Sequence, residues 1–456
     1  METNNSPPLG RGWGWVRAAL LGPPPSLPRW GRNGGVLLSG WYGGGNVGDE
    51  AVLAALVQML RERNPDLPIA ALSVNPKQTA RLHGIKAFKR SPLQVRAALT
   101  ACDTFALGGG GTVQDVTSVW NLPSFLLYPL LARRLGKRVV WCGVGVGPLG
   151  TRLGRWLTAR AAWAAQRITV RDEASAELLA RVGAPMGRVE ITADPALALR
   201  PIDRAAAMKV LQEANVYTDD AMPTTPFPSS PQREEEVVGN SSLITHHSSL
   251  SRRLVVFALR RPLDPQLGKR LRPGYLLPVS MRERFGAWSA QAEQLYRAMV
   301  EALAQLADYC VSEWQAEALF VSFDTVDRKV VAAVRRRMRY VEHSYELTGE
   351  HHPATVMGIV GLADLVVGMR LHGLIFGAAM GRPLLALSYD RKVSSFMAQL
   401  GASEWTLAVT DAAALVAKAA ALWPQREVVA QQIAARATEL KRKARLNANI
   451  IEARAG

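Results

Sequence analysis

Two doubly wound parallel α/β sheets are the fold class that this sequence predicts. Short runs of β-branched and apolar residues alternate with helical stretches from Gly35 onward, the pattern that a parallel sheet with crossover helices produces. The alternation runs in two series with a break between them. At 456 residues the chain also exceeds one ordinary core, and its 48% hydrophobic content is enough to build two.

The first series begins with the strand Val36 to Ser39, followed by a helix from Asp49 to Arg63. That helix puts Val52, Leu53, Leu56, Val57 and Leu60 on one face and stops at Asn64-Pro65. Further strands are predicted at Ile69 to Val74, Thr104 to Leu107, Val139 to Cys142, Ile168 to Val170 and Val189 to Thr192. The second series has strands at Leu254 to Leu259, Leu319 to Phe323, Leu365 to Gly368 and Leu384 to Leu387. A helix from Leu371 to Met380 follows the third of these, and the chain closes with helices from Asp411 to Leu422 and from Arg426 to Ala453. The resulting domains are 35–197 and 198–456. A basic disordered tail, 1–34, precedes them, and the second carries a Pro/Ser/Thr-rich insertion, 217–251. The stretch from Pro262 to Ser289 reads as a loop.

A formal net charge of +17 suits an anionic partner. No basic run with interleaved aromatics and no nucleic-acid-binding motif occurs, so the expected partners are phosphorylated small molecules or an anionic membrane surface. Cys102, Cys142 and Cys310 are too few and too scattered for a disulfide scaffold or a zinc site, which fits a reducing cytoplasm. His246-His247 and His351-His352 sit in polar stretches without convergent partners and read as solvated residues, so no metal is expected. No apolar run reaches the roughly 20 residues of a membrane span.

Gly43 to Gly48 satisfies G-x-G-x-x-G between a strand and a helix. The second strand ends Leu72-Ser73-Val74-Asn75, without the acidic residue that would hold a ribose, so a dinucleotide is disfavoured. No Lys-Ser or Lys-Thr follows the glycines, which excludes a P-loop. Asp49 and Glu50 at the helix start read either as caps or as acceptor-binding carboxylates. Gly108 to Gly111 and Gly143 to Gly147 read as two more glycine turns at strand ends. Arg171 and Arg370 each end a strand. Each reads as an anion-gripping residue or as half of an ion pair, with Asp172 in one case and Asp390 in the other. Beside Arg370, at a strand-to-helix turn, stands His372.

Taken together, Gly40 to Ala51, Gly108 to Gly111, Val170 to Ser175, Asp194-Pro195-Ala196, Arg370-Leu371-His372-Gly373, Gly381-Arg382-Pro383 and Tyr389 to Val393 resemble the polysaccharide pyruvyl transferase family. The likeness runs from Val36 to Leu400 apart from the insertion. It implies a GT-B-like fold, two Rossmann-like domains facing a cleft, and transfer of pyruvate from phosphoenolpyruvate to a sugar as a ketal during cell-surface polysaccharide synthesis. On that reading His372 is the general acid, beside Arg370, and Arg370, Arg171 and, more weakly, Arg260 hold the donor's anions. Asn46, Gly48, Asp49 and Glu50 lie on the acceptor side. No metal or cofactor beyond the donor is implied, and the acceptor is a sugar or lipid-linked glycan. The place of work is the cytoplasm, with peripheral contact to the inner face of the plasma membrane. Two other readings of the same residues are a GT-B nucleotide-sugar glycosyltransferase and a non-catalytic glycan-binding protein.

Overall fold

A computed structural model describes residues 35–115, 121–214, 216, 253–261 and 290–452. The expected tail, the 217–251 insertion with His246 and His247, and the loop-like stretch 262–289 lie outside the described residues. The chain forms two compact units. The first takes residues up to Gly44, then Val52–Asp194, then those from Arg445 onward. The second takes Gly45–Ala51 and Pro195–Ala444.

The first unit is a seven-stranded parallel sheet of β1 (Val36–Tyr42), β2 (Ile69–Ser73), β3 (Lys86–Lys89), β4 (Thr104–Val113), β5 (Arg138–Val146), β6 (Arg167–Val170) and β7 (Val189–Ile191). Their spatial order is β3-β2-β1-β4-β5-β6-β7, so the winding reverses between β1 and β4. Central strands are buried on both faces: Leu37, Phe105, Leu107, Val139, Trp141 and Ile168 share one core with Phe125, Leu126 and Leu157 from helices Asn121–Arg134 and Arg152–Ala164. Each fully buried side chain of this size contributes about 1.5–3 kcal/mol.

The second unit repeats the design with six parallel strands: β8 (Arg253–Ala258), β9 (Ala316–Val321), β10 (Ser344–Leu347), β11 (Leu365–Gly368), β12 (Leu384–Ser388) and β13 (Thr406–Ala408). The order is β10-β9-β8-β11-β12-β13, with the reversal between β8 and β11. Phe257 and Phe320 stack 5.0 Å apart on adjacent strands β8 and β9.

The strands that the periodicity misses, β3, β10 and β13, are all sheet edges. Lys86-Ala87-Phe88-Lys89 shows why: exposed or half-buried throughout, it has no apolar run to reveal it. Two expected glycine turns are corrected. Gly108 to Gly111 lies inside β4, and Gly143 to Gly145 lies inside β5. Gly110, at φ +91°, marks a register shift in β4 where a bulge interrupts pairing with β5. The helix expected from Asp49 begins at Val47. The segment expected as one helix from Asp411 divides into a 3-10 stretch, Val409–Ala414, and the α-helix Leu415–Leu422.

Candidate active site

Ligands of wound sheets bind outside the carboxyl ends of the strands where the winding reverses. In the second unit that point lies between β8 and β11, and the sequence places a cation after each strand: Arg260 beyond β8 and Arg370 beyond β11. The two loops are tied together, because the backbone N–H groups of Met369 and Arg370 both donate to the carbonyl of Ala258. Arg370 is also the N-cap residue of the helix Leu371–Ala379. A guanidinium has no acceptor, so Arg370 makes no side-chain cap. The N-cap residue of that helix therefore lacks the usual carboxylate or hydroxyl, and a helix N-terminus beside a cation suits an anion.

Arg370 is buried and held in a fixed pose. Its Nε and Nη2 donate to the two carboxylate oxygens of Asp327, at 2.8 and 2.5 Å, and Nη2 lies 3.7 Å from Asp324. Asp327 is wholly buried. Burial alone would pull the Arg370 pKa down, but Asp327, with Asp324 and Tyr389, outweighs it and holds the guanidinium above its ordinary value. The expected ion-pair partner, Asp390, is instead the N-cap of helix Arg391–Gln399 and lies 3.6 Å from Lys392. With the Nε edge of the fork taken by Asp327, the edge left for a ligand is that formed by Nη1 and Nη2.

Arg260 donates to the Tyr389 hydroxyl at 2.7 Å, and its guanidinium lies 4.9 Å from the centre of that ring. Lys392 approaches the same ring at 5.6 Å. Burial would push the Tyr389 phenol up, yet Lys392, Arg260 and Arg370 together pull it below its ordinary value. Tyr389 and Lys392, at the end of β12, are site residues to which the sequence reading gave no role. Their signal was a third strand-to-helix junction carrying polar residues, Tyr389-Asp390-Arg391-Lys392. Asp324 and Asp327 were missed because nothing in a single sequence pairs them with Arg370, 43 or more positions away.

The first helical turn at residues 45–51 belongs by its contacts to this second unit. Val47 N–H donates to the carbonyl of Phe323 at 2.8 Å. Asn46 caps the helix Val47–Arg63, its Oδ1 accepting from the N–H groups of Gly48 and Asp49 at 2.9 and 3.3 Å. Gly48 lies against the His372 ring so closely that a Cβ on it would fall 2.0 Å from Nδ1. Only glycine permits that approach. His372 itself is half-buried. Of the two adjoining carboxylates, Asp49 is half-buried and Glu50 buried.

Arg171 lies in the first unit, beyond β6. It pairs with Asp172 and Asp194, each at 3.3 Å. Burial opposes its charge, but Asp194 and Asp172 outweigh burial and raise its pKa. Gly145 makes room for it: a Cβ there would meet the guanidinium carbon at 2.6 Å. Gly145 thus serves close packing within a strand.

Two Rossmann-like parallel sheets, one with cations and a histidine at its switch point, make a GT-B-type fold. Solved structures with this fold include HepE from Anabaena in complex with UDP and glucose (12% identity, TM-score 0.52, covering 91% of this chain and 98% of that one). They also include the UDP-GlcNAc 2-epimerase of Neisseria meningitidis bound to UDP-GlcNAc (10%, 0.53, 91% and 98%) and MnaA of S. aureus with UDP (12%, 0.54, 90% and 92%). Among curated protein sequences none matches. The profile of the polysaccharide pyruvyl transferase family matches residues 46–391, and the chain belongs to that family.

Proposed function

We propose that this protein transfers the pyruvyl group of phosphoenolpyruvate to a sugar of a cell-surface polysaccharide or its precursor, forming a pyruvate ketal and releasing phosphate. The observation that carries the reading is the start of helix Leu371–Ala379. Its N-cap residue makes no side-chain cap, its guanidinium is locked by Asp327, and its imidazole is seated on Gly48. Phosphoenolpyruvate bears a carboxylate and a phosphate, and a helix start beside Arg370, Arg260 and Lys392 offers N–H donors and positive charge for both. His372 gives a proton to the methylene carbon, leaving C2 as an oxocarbenium-like centre. An acceptor hydroxyl adds to C2 and loses its proton. Phosphate leaves with the C2–O bond, and a second hydroxyl closes the ketal. On this reading Asp49, in the turn beside Gly48, takes a hydroxyl proton. Asn46 shapes that turn through its capping bonds. Proton transfer to carbon drives the step, so it calls for no metal and no cofactor beyond the donor.

Replacing His372 with Ala is expected to lower phosphate release at least about 10²-fold while circular dichroism stays unchanged. Near-normal turnover would remove His372 from the chemistry. The UDP complexes of the structural relatives favour a second reading, a nucleotide-sugar glycosyltransferase. Thermal shift separates the two: phosphoenolpyruvate raises the melting temperature on the main reading, UDP-sugars on the second. We place the work in the cytoplasm, with a lipid-linked glycan as acceptor. Among the described residues no helix is long and apolar enough to cross a membrane.

A further inference from the structure

Helix Arg152–Ala164 of the first unit has an outer face that the described residues leave uncovered. Gly154, Leu157, Thr158, Ala161 and Ala162 point to the core. Leu153, Trp156 and Trp163 are 63%, 57% and 57% exposed. Spaced three and seven residues apart, they form one stripe, with Arg160 between the indoles. Isolated exposed apolar residues are ordinary. Two indoles and a leucine aligned on one helix are a continuous apolar strip, and such strips mark interaction surfaces.

The neighbouring helix Asn121–Arg134 packs against it and adds Leu127, 52% exposed. The charge carried by the two helices themselves has one sign. Neither helix contains an Asp or Glu, whereas one carries Arg152, Arg155 and Arg160 and the other Arg133 and Arg134. Arg160 lies 5.9 Å from the Trp156 ring, and Arg188 lies 5.7 Å from the Trp163 ring. Trp163 also donates from its indole to the Gly183 carbonyl at 2.9 Å, which fixes its ring at the surface.

From this we infer that helices Arg152–Ala164 and Asn121–Arg134 form the face by which the protein docks on an anionic lipid bilayer. Indole rings favour the depth between headgroups and acyl chains, where an apolar ring and a polar N–H both find partners. Leu153 and Leu127 enter the acyl boundary, and the arginines pair with lipid phosphates. A protein partner of ordinary surface composition would bring both charge signs to the contact. A bilayer rich in anionic lipid matches the all-cationic charge of these two helices. The inference locates the peripheral contact proposed above and rests on no assumption about the donor.

The test is co-sedimentation of the full chain with phosphatidylcholine vesicles with and without phosphatidylglycerol. Binding is expected only with the anionic lipid. Trp156→Ser combined with Leu153→Ser should weaken it roughly tenfold or more. Arg152→Glu and Arg160→Glu should each weaken it about fivefold, a loss that rising salt reproduces. Brominated acyl chains should quench the wild-type protein more than Trp156→Phe, a readout that does not depend on a weakened variant. Absence of vesicle binding overturns the inference, as does binding that survives all these changes. So does a self-associated wild type that Trp156→Ser makes monomeric without affecting lipid binding. Phosphate release measured on a soluble sugar acceptor is independent of lipid. Lost docking with intact transfer therefore faults this inference alone, and intact docking without transfer faults the proposed reaction alone.

Discussion

Arg171 and Arg370 occupy comparable places in the two units, each one step beyond a parallel strand, each buried, each paired with two carboxylates. Their settings differ in what lies next to them. Beyond β6, Asp172 follows Arg171 and caps its helix, accepting from the N–H and hydroxyl of Ser175. Beyond β11, Arg370 is itself the N-cap residue and makes no side-chain cap. β11 borders the reversal of its sheet, while β6 lies two strands from the reversal in its own. One arginine precedes a capped helix start, and the other is itself the N-cap residue with an imidazole in its turn. On the proposed reading, a strand-end cation marks a substrate site when it makes no cap and its strand borders the switch point.

Paired substitutions test this contrast. After loss of His372, the largest effect expected is from Gly48→Ala, whose Cβ must displace the His372 ring, lowering kcat about 10²-fold in phosphate release. Its counterpart Gly145→Ala crowds Arg171 and should cost about 1–3 kcal/mol of stability by thermal melting, with less effect on kcat. Equal losses of kcat in the two would break the comparison. Next in size, Arg370→Ala should weaken phosphoenolpyruvate binding by calorimetry roughly 10- to 100-fold, with Arg370→Lys recovering little because it lacks the fork. Arg171→Ala should weaken donor binding less, and unchanged affinity in both would contradict the anion-binding assignment. Smallest is Tyr389→Phe, expected to raise the KM for the donor about threefold by freeing Arg260. It also carries a pH signature. The cations lower the folded-state pKa of Tyr389, so its phenolate absorbance should emerge below the ordinary pH 10.0 and vanish in the variant. By linkage, ionised Tyr389 adds stability above its unfolded value, and that stability is lost as pH falls through the folded one.

The sheets were legible wherever strands are buried on both faces, because apolar runs such as Leu365-Val366-Val367 have one reading at that length. Three of the four edge strands, β3, β10 and β13, were not, since much of their surface meets water, whereas the edge strand β7 was. The glycine clusters were legible as places of close approach but not as strand, because a glycine gives the same signal whether it turns the chain or admits a side chain. His372 and Arg370 were found from their junction. Their supports, Gly48 and Asp327, come from distant parts of the chain and gain meaning only in three dimensions. The exposed indoles could have been found by spacing, as Leu153, Trp156, Arg160 and Trp163 follow helical period. Single-sequence periodicity, however, assigns an apolar stripe to the core by default.

The final helix, Arg426–Glu452, ends inside the first unit. There the buried Asn447 accepts from Thr169 and Thr192 and donates to the carbonyl of Ala193. Arg138 holds the carbonyls of Ile450 and Ile451. During synthesis, the amino-terminal sheet therefore emerges from the ribosome long before its last polar partners exist. A stop codon in place of Arg445 would damage the half of the protein translated first.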